Sequence, residues 1–200
     1  MKQLCFTIPL LVFTLLAVGQ PHTYVHLVSK KNFSPKADSI LNIALPLIDS
    51  VINTLAFREG ILNAKFINTQ NQLNTDILTL FLSGKEIHFN HANDTIDLVL
   101  ETYPDQNGDN IGTTYGSKRI VSSEAYILRN GARCYAAHII HEYCHTIGNG
   151  SIGFGHRHRV LSKKQRREKC QSVPYIIGDL ARKILGIQTC KCECENYPQS

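Results

Sequence analysis

The residues best suited to chemistry lie between positions 132 and 156, where four histidines and a glutamate occur close together. His141, Glu142 and His145 form the pattern H-E-x-x-H. On a helix, residues four apart lie on one face one turn apart, so both imidazoles can meet a single metal ion. Glu142 would lie beside that ion, where a carboxylate can take a proton from a metal-bound water. The pattern therefore predicts a metal-assisted hydrolytic site.

The residues around this pattern favour a helix followed by a glycine-rich turn. Asn130 is expected to cap the start of the helix, and Gly148 and Gly150 are expected to end it. His156 follows within Gly-Phe-Gly-His and is the expected third ligand. Two helical histidines and a third beyond a glycine turn are typical of a catalytic zinc site with three protein ligands. The apolar residues at helical spacing are Tyr135, Ala136, Ile139, Ile140, Tyr143 and Ile147.

Two further histidines leave alternatives open. His158 closely follows His156 and could replace it as the third ligand, since spacing within a glycine loop does not determine geometry. His138 lies one turn before His141 on nearly the same face. We expect His138 to support a ligand or to lie at the surface, and not to bind the metal.

The first residues of the chain predict export. An apolar run over residues 4–18 leads to Ala17-Val18-Gly19, which fits the small-x-small rule for signal cleavage. The run is too short for a transmembrane anchor. We therefore expect a signal peptide at residues 1–19 and a secreted or periplasmic mature chain that begins at Gln20. The remaining length allows one domain, which we place at residues 20–189.

Cleavage would leave six cysteines, an even number that predicts disulfide bonds in an exported chain. Cys134 and Cys144 would lie about 15 Å apart along one helix, too far to pair with each other. The simplest interpretation joins the cysteines of a C-terminal tail, residues 190–200, to Cys134, Cys144 and Cys170, with no thiol left free. A soft-metal site within Cys-Lys-Cys-Glu-Cys is the alternative.

Residues 157–169 form a basic segment. They include seven basic residues and one acidic residue, a net of +6, in a chain whose total is +5. A solvated loop is the simple interpretation, and contact with an anionic partner is the alternative. No aromatic residue interrupts the segment, so no stable nucleic-acid partner is expected. The residues available to an anionic surface are Arg157, Arg159, Lys163, Lys164, Arg166, Arg167 and Lys169.

The N-terminal part of the mature chain predicts a helix after a polar lead-in, residues 22–31, whose structure stays open. Ser34-Pro35 resembles an N-cap followed by a first-turn proline. Pro46 is expected to kink the helix or to mark its restart, and Gly60 to end the region. The apolar residues that recur at helical spacing are Ala44, Ile48, Val51 and Leu55.

Strand-like segments follow before the histidine helix. Residues 86–90 and Thr95–Tyr103 favour strands, and in the second of these segments apolar and polar residues alternate. Residues 113–127 offer one or two more strands, and a last helix is expected over residues 179–185. This order of helix, strands and metal helix is typical of an α+β layer arrangement.

Three motifs together are similar to those of a known family. They are the H-E-x-x-H of His141 and His145 followed by Gly148, the segment Gly153-Phe154-Gly155-His156, and Ser172-Val173-Pro174-Tyr175-Ile176-Ile177-Gly178. With them the chain resembles the metzincin clan of zinc endopeptidases, and most closely a group of bacterial metzincin-like peptidases. The likeness covers roughly residues 40–185 and is specific from Ala136 onward.

The resemblance implies a fold, a metal and roles for particular residues. The fold would be that of a metzincin-like zincin, with a mixed sheet packed on an N-terminal helix and the H-E-x-x-H helix, and a C-terminal helix. Zinc would bind His141, His145 and His156, and Glu142 would act as the general base. Tyr175 would donate a hydrogen bond to the oxyanion of the transition state.

The chain departs from the clan pattern in two places. Ser151 occupies the usual position of the third histidine, so reaching His156 requires a longer loop. The methionine of the turn beneath the metal is also absent, since Met1 is the only methionine. Residues 172–175 would have to form that turn.

The expected function is that of a secreted zinc-dependent endopeptidase acting on a protein or peptide substrate. The alternative is a non-catalytic exported module that contains structural zinc and binds an anionic partner through the basic segment. Glu142 favours the enzyme, because a structural zinc site has no use for that carboxylate.

Overall fold

Six helices and four strands make up the regular structure of the described residues. The computed structural model describes residues 21–89, 92–105, 111–116, 118–148, 153–156, 162–188 and Cys194. In chain order the elements are β1 (Tyr24–Lys31), α1 (Pro35–Ile52), α2 (Leu55–Leu62), α3 (Asn74–Leu82), β2 (Thr95–Tyr103), β3 (Gly112–Tyr115), β4 (Arg119–Ser123), α4 (Glu124–Tyr143), α5 (Lys163–Cys170) and α6 (Val173–Ile184). The expected signal peptide and most of the C-terminal tail lie outside the described residues.

The four strands form one mixed sheet in the order β1-β2-β4-β3. β1, at one edge of the sheet, and β4 both run parallel to β2. β3, at the opposite edge, pairs antiparallel with β4. Along β2, side chains alternate between buried and half-buried, as the sequence predicts. Ile96, Leu98 and Leu100 point into the core, which confirms an α+β arrangement with helices on one face of a mixed sheet.

One segment whose structure stayed open is a strand, and one strand prediction needs correction. The polar lead-in contains β1, which forms the other edge of the sheet and is largely exposed. Of the strand predicted at residues 86–90, the described part, residues 86–89, is not a strand: residues 87–89 make a turn, and Glu86 just before it is buried. The carboxylate of Glu86 instead accepts the backbone N–H of Asp97 at 3.0 Å, so this segment packs against β2 through a side chain.

The first helix begins where the sequence predicts it. The hydroxyl of Ser34 accepts the backbone N–H of Ala37 at 3.3 Å, and Pro35 occupies the first turn. The helix continues through Pro46 to Ile52, so the expected restart at the proline is wrong. Leu55 begins α2 and is 62% exposed, so it does not extend the apolar face of α1. Gly60 lies within α2 rather than after it.

Among the described residues, no single helix has the length and apolar character needed to cross a membrane. The pair α1 and α2, bent by 62° at their junction, meets the criterion of length and composition only when the two are taken together. The apolar residues of α1 face the protein core.

The histidine helix, α4, has a break near its middle. Gly131 adopts φ 74° and ψ −174°, which lies outside the helical region and which glycine tolerates for lack of a Cβ atom. The side-chain amide of Asn130 donates to the carbonyl of Tyr126 at 2.9 Å, so it serves the segment before the break instead of capping the one after it. The helix ends at Tyr143, before the glycines expected to stop it. The one or two strands predicted over residues 113–127 are β3 and β4. Residues 124–127 belong instead to the start of α4.

A continuous core joins α4 to the sheet and to the other helices. The ring of Phe81 contacts that of Phe57 at 5.3 Å and that of Tyr143 at 5.0 Å between centroids. Tyr135, Tyr143 and Phe154 are fully buried, and the last of these lies in the loop after α4. Aromatic packing on both sides therefore fixes the part of α4 that carries H-E-x-x-H.

One disulfide bond is described in full, between Cys170 at the end of α5 and Cys194 in the tail, with Cα atoms 5.5 Å apart. Cys134 is also disulfide-bonded. Cys144 is a free thiol and is fully buried, so the expectation that it pairs with the tail is wrong. It lies on the core side of α4, where its Sγ approaches the carbonyl of Ile140 at 3.4 Å.

Candidate active site

Three histidines converge at the end of α4. One ring nitrogen each from His141, His145 and His156 lies within 4.8 Å of the other two. The ring centroids are 5.6 Å apart for the helical pair and 5.4 Å and 4.9 Å from each of them to His156. These distances support the predicted group of three ligands. His158, the alternative third ligand, lies outside the described residues.

The loop after α4 returns closely enough to deliver the third histidine. The backbone N–H of Phe154 lies 3.1 Å from the carbonyl of Cys144 and 2.9 Å from that of Ile147. A Cβ atom on Gly153 would lie 1.8 Å from the carbonyl oxygen of His145, so only glycine allows this approach. The loop thereby positions His156 beside the ring of His145 although it is longer than the family pattern.

Backbone carbonyls orient two of the imidazole rings. The Nδ1 of His145 donates to the carbonyl of Phe154 at 2.5 Å, which leaves Nε2 as the atom that can bind a metal. The ring of His141 hydrogen-bonds to the main chain of Pro174, which has no N–H, so the carbonyl is the acceptor. A Cβ atom on Gly178 would lie 3.0 Å from the Cβ of His141, so α6 packs closely against this ligand.

His141 is held in the neutral form. Burial lowers its pKa well below 6.5, and the nearby rings of His145 and His156 lower it further. The hydrogen bond to Pro174 acts in the opposite direction but is the smaller effect. A neutral imidazole is the form that binds a metal, so the site is ready for an ion at neutral pH.

Glu142 lies between the two helical histidines. Its two carboxylate oxygens each lie 4.0 Å from one Nε2, Oε1 from that of His141 and Oε2 from that of His145. The residue is 5% exposed, and desolvation raises the pKa of its carboxyl to about 7, while a hydrogen bond from Thr114 acts to lower it. A carboxyl with a pKa near neutrality can both accept and return a proton.

Thr114 is a site residue that the sequence analysis missed. Its Oγ1 lies 2.9 Å from Oε2 of Glu142 and 3.1 Å from the main-chain carbonyl of the same residue. Thr114 belongs to β3, so this contact links the end strand of the sheet to Glu142. No sequence signal marks it, because the two residues are 28 positions apart and meet only through the sheet.

Tyr175 lies against the histidine group. Its ring centroid is 4.8 Å from that of His141 and 4.9 Å from that of His156. The residue belongs to the first turn of α6, which begins at Val173 and not at position 179 as expected. Residues 172–175 are therefore the start of a helix and not a separate turn. On the other side of the ring, the Nζ of Lys169 lies 5.3 Å from its centroid.

His138 lies outside the histidine group and is not at the surface. It is buried, and its Nε2 lies 3.1 Å from the hydroxyl of Ser122 in β4. Burial lowers the pKa of His138 to about 3, with the charge of His145 as the lesser cause. A Cβ atom on Gly112 would lie 2.7 Å from Nε2, so β3 also approaches the ring closely. His138 thus ties α4 to the sheet one turn before the first ligand.

A buried carboxylate supports the same helix from the opposite side. The Oε1 of Glu86 accepts the phenol of Tyr143 at 2.5 Å as well as the N–H of Asp97. The N–H of Ile87 donates to the carbonyl of Thr146 at 2.9 Å. This turn before β2 therefore braces the residues between the two helical ligands and just beyond them. The contact of Glu86 with Tyr143 could not be seen in the sequence either.

The donor set fits a transition metal. Three imidazoles suit zinc, copper, iron or nickel better than calcium or magnesium, and carbonyl partners on the far ring nitrogens are usual at such sites. The observed group could therefore hold a metal ion, although its geometry does not by itself select zinc. The chain as a whole matches no known family model, no curated protein and no solved structure.

Proposed function

We propose that the chain is a secreted zinc-dependent endopeptidase with a metzincin-like fold. The observation that carries the proposal is the buried carboxylate of Glu142, 4.0 Å from the Nε2 atoms of His141 and His145 within a group of three histidines. A carboxylate that is adjacent to a metal site, but is not needed as a ligand, is the arrangement used for metal-assisted hydrolysis.

The three histidines would hold the ion. Zinc is proposed because three neutral protein ligands that leave an open position are typical of catalytic zinc, and when bound it lowers the pKa of water and polarises a carbonyl. His145 would bind through Nε2, since its Nδ1 donates to Phe154. The contacts of Pro174 and Gly178 with His141 supply the support that the clan obtains from its methionine turn.

Glu142 would move the proton. Its Oε2 accepts the hydroxyl of Thr114 at 2.9 Å, so Oε1 is the oxygen left to take a proton from the attacking water. A pKa near 7 allows the same oxygen to pass that proton to the leaving amine once the peptide bond breaks.

Tyr175 would assist the developing oxyanion. Its ring contacts two of the proposed ligands, and the start of α6 holds it there. A phenol donates a hydrogen bond that strengthens as negative charge develops on the carbonyl oxygen.

The position of β3 supports an extended peptide as substrate. Among the described residues, β3 pairs only with β4 and forms one end of the sheet. Within the described part of the chain no strand pairs with its outer edge, so a peptide could lie alongside it as an added strand. Since Thr114 in β3 also contacts Glu142, a peptide bound there would lie beside the base. A substrate peptide could extend past the site in both directions along this edge, which favours an endopeptidase.

The non-catalytic alternative leaves Glu142 unexplained. Burying a carboxyl costs free energy unless its surroundings compensate, and the raised pKa of Glu142 reflects that cost. A module that uses zinc only for stability would gain nothing from this residue. The Cys170–Cys194 disulfide supports an oxidising compartment, in agreement with the proposed export.

The experiment that tests the proposal combines metal analysis with a cleavage assay. Mature protein should contain one zinc per chain and should cleave members of a mixed peptide library. A chelator should abolish cleavage, and added zinc should restore it. Protein that retains zinc and cleaves no peptide would instead support the binding module.

A further inference from the structure

The exposed basic residues of the described chain are closest together in sequence on α5. This helix, Lys163–Cys170, has five basic residues and one acidic residue, a net of +4 in a chain whose total is +5. Lys163, Lys164, Arg166 and Arg167 are exposed, and within the described ranges none of these four forms an ion pair. We call them the α5 cations. Four like charges on two helical turns repel one another, so the surface is favourable only towards an anion.

The remaining cation of α5 points the other way. Lys169 is 8% exposed, and its Nζ lies 5.3 Å from the ring centroid of Tyr175. That ring lies 4.8 Å from the ring of His141. Through Lys169, α5 is therefore in contact with the wall of the candidate active site, and the α5 cations are exposed on the same helix.

The ends of the helix are defined by three local contacts. The hydroxyl of Ser162 accepts the N–H of Gln165 at 3.2 Å and caps its start. The Cys170–Cys194 disulfide ties its end to the tail. One residue, Gln171, separates it from Ser172, whose hydroxyl donates to the carbonyl of Lys169 at 2.7 Å just before α6. The cations thus lie on a capped helix and not in a loop.

We infer that α5 is a substrate-selecting surface that binds acidic side chains flanking the scissile bond of a peptide. The inference rests on the proposed peptidase function and adds the class of substrate. A peptide at the histidine group that continues past Tyr175 would meet α5. Peptide carboxylates fit the surface better than nucleic acid, since α5 exposes no aromatic side chain for base stacking. They also fit it better than a membrane, since α5 exposes no apolar side chain that could insert.

The test measures binding without cleavage. Zinc-loaded Glu142→Gln protein is titrated with labelled peptides that share a neutral core and carry glutamate or glutamine residues on the amino or the carboxyl side. One acid-flanked peptide should bind about tenfold more tightly than its glutamine counterpart, the combined effect of several exposed ion pairs. The advantage should shrink as salt is raised.

A matched pair of variants identifies the surface. Changing the four α5 cations to glutamine should abolish the preference for acidic peptides. Changing Lys36, Lys65, Lys85 and Arg133 to glutamine removes the same charge from exposed positions elsewhere and should leave the preference intact. Equal binding of both peptides, or an equal loss in both variants, would overturn the inference. So would binding of the α5 cations to anionic lipid vesicles without any preference among peptides.

Cleavage assays with wild type separate the two proposals. The ratio of kcat/KM for acidic over neutral peptide should exceed one and fall with the α5 change. If wild type cleaves both peptides equally, the substrate inference fails and the peptidase stands. If wild type cleaves neither, the peptidase fails, and the binding comparison with Glu142→Gln then judges the surface on its own.

Discussion

The hydroxyl of Thr114 lies 2.9 Å from the carboxylate of Glu142 and joins the end strand of the sheet to the proposed base. The same hydroxyl lies 3.1 Å from the main-chain carbonyl of Glu142, and one O–H can donate to only one of these oxygens at a time. When it donates to Oε2, it orients the carboxylate and leaves Oε1, which lies 4.0 Å from Nε2 of His141, without that hydrogen bond. The strand that would bind substrate therefore also positions the group that would activate water.

Removing this hydroxyl should slow catalysis without removing the metal. Thr114→Val keeps the branched side chain but loses the hydrogen bond to a charged group, which should lower kcat by about tenfold or more. Zinc content should stay at the wild-type level because Thr114 is not a ligand. Thr114→Ser should restore most of the activity, and Thr113→Val on the same strand should change kcat little. Equal effects of the two valine changes would contradict a specific role for Thr114.

The buried carboxyl of Glu86 should make stability depend on pH. Burial raises its pKa above 4.5, although hydrogen bonds from Tyr143 and the main chain of Asp97 act to lower it. A carboxyl whose pKa is higher in the folded state favours folding most while it is protonated, and this contribution is lost as pH rises through the folded pKa. Wild type should therefore lose stability relative to Glu86→Gln as pH rises above the ordinary carboxyl pKa of 4.5.

Thermal unfolding of the two proteins side by side measures this effect. The difference in Tm, glutamine variant minus wild type, should increase as pH rises from 4.5 towards neutrality. Effects of pH on the histidine group are common to both proteins and cancel in the difference. A difference that shrinks as pH rises would show that the folded state prefers the ionised carboxylate.

The local pattern of the sequence predicts the elements that carry the metal ligands. The four-residue spacing of His141 and His145 requires only a helix, and the alternation along β2 requires only one buried face. Ser34-Pro35 likewise predicts the start of α1, because capping depends on neighbouring residues. The candidate third ligand could be proposed from its place after a glycine turn, although the geometry of the loop could not.

Contacts between distant residues could not be predicted in this way. Thr114 meets Glu142, and Glu86 meets Tyr143, only after the strands pair and α4 packs on the sheet. β1 was missed because an exposed edge strand buries too little to show alternation. The break at Gly131 was missed because a glycine within a helical pattern does not reveal whether its φ is positive.

The identity of the third ligand can be tested by metal analysis. His156→Ala should remove most of the bound zinc, since the ring lies within the group of three and supplies one of its nitrogens. His158→Ala is the matched control and should retain zinc close to the wild-type level. Elemental analysis of both variants after dialysis decides the point. A greater loss from His158→Ala would move the third ligand to the neighbouring position.

The thiol of Cys144 should be shielded from alkylating reagents by core packing and not by a disulfide bond. It is fully buried and free, while Cys170 and Cys194 are joined. An alkylating reagent should therefore label Cys144 only after unfolding, and label the other two only after unfolding and reduction. Peptide mass spectrometry distinguishes these states. Labelling of Cys170 in unreduced protein would contradict the assigned bond.

Cys170→Ser should lower the free energy of unfolding by about 3 kcal/mol, the expected effect of losing a crosslink over this length of chain.

The most direct measurement is peptide cleavage by Glu142→Gln. The change preserves the size of the side chain and all three proposed ligands while it removes the proton acceptor. Zinc content and Tm should stay close to wild type, and kcat/KM should fall by at least about 10²-fold. Tyr175→Phe should cost less, because it removes one hydrogen bond and not the base. Glu59→Gln, an exposed change on α2, controls for the substitution itself. Full chelator-sensitive activity in Glu142→Gln would contradict the proposed metallopeptidase mechanism.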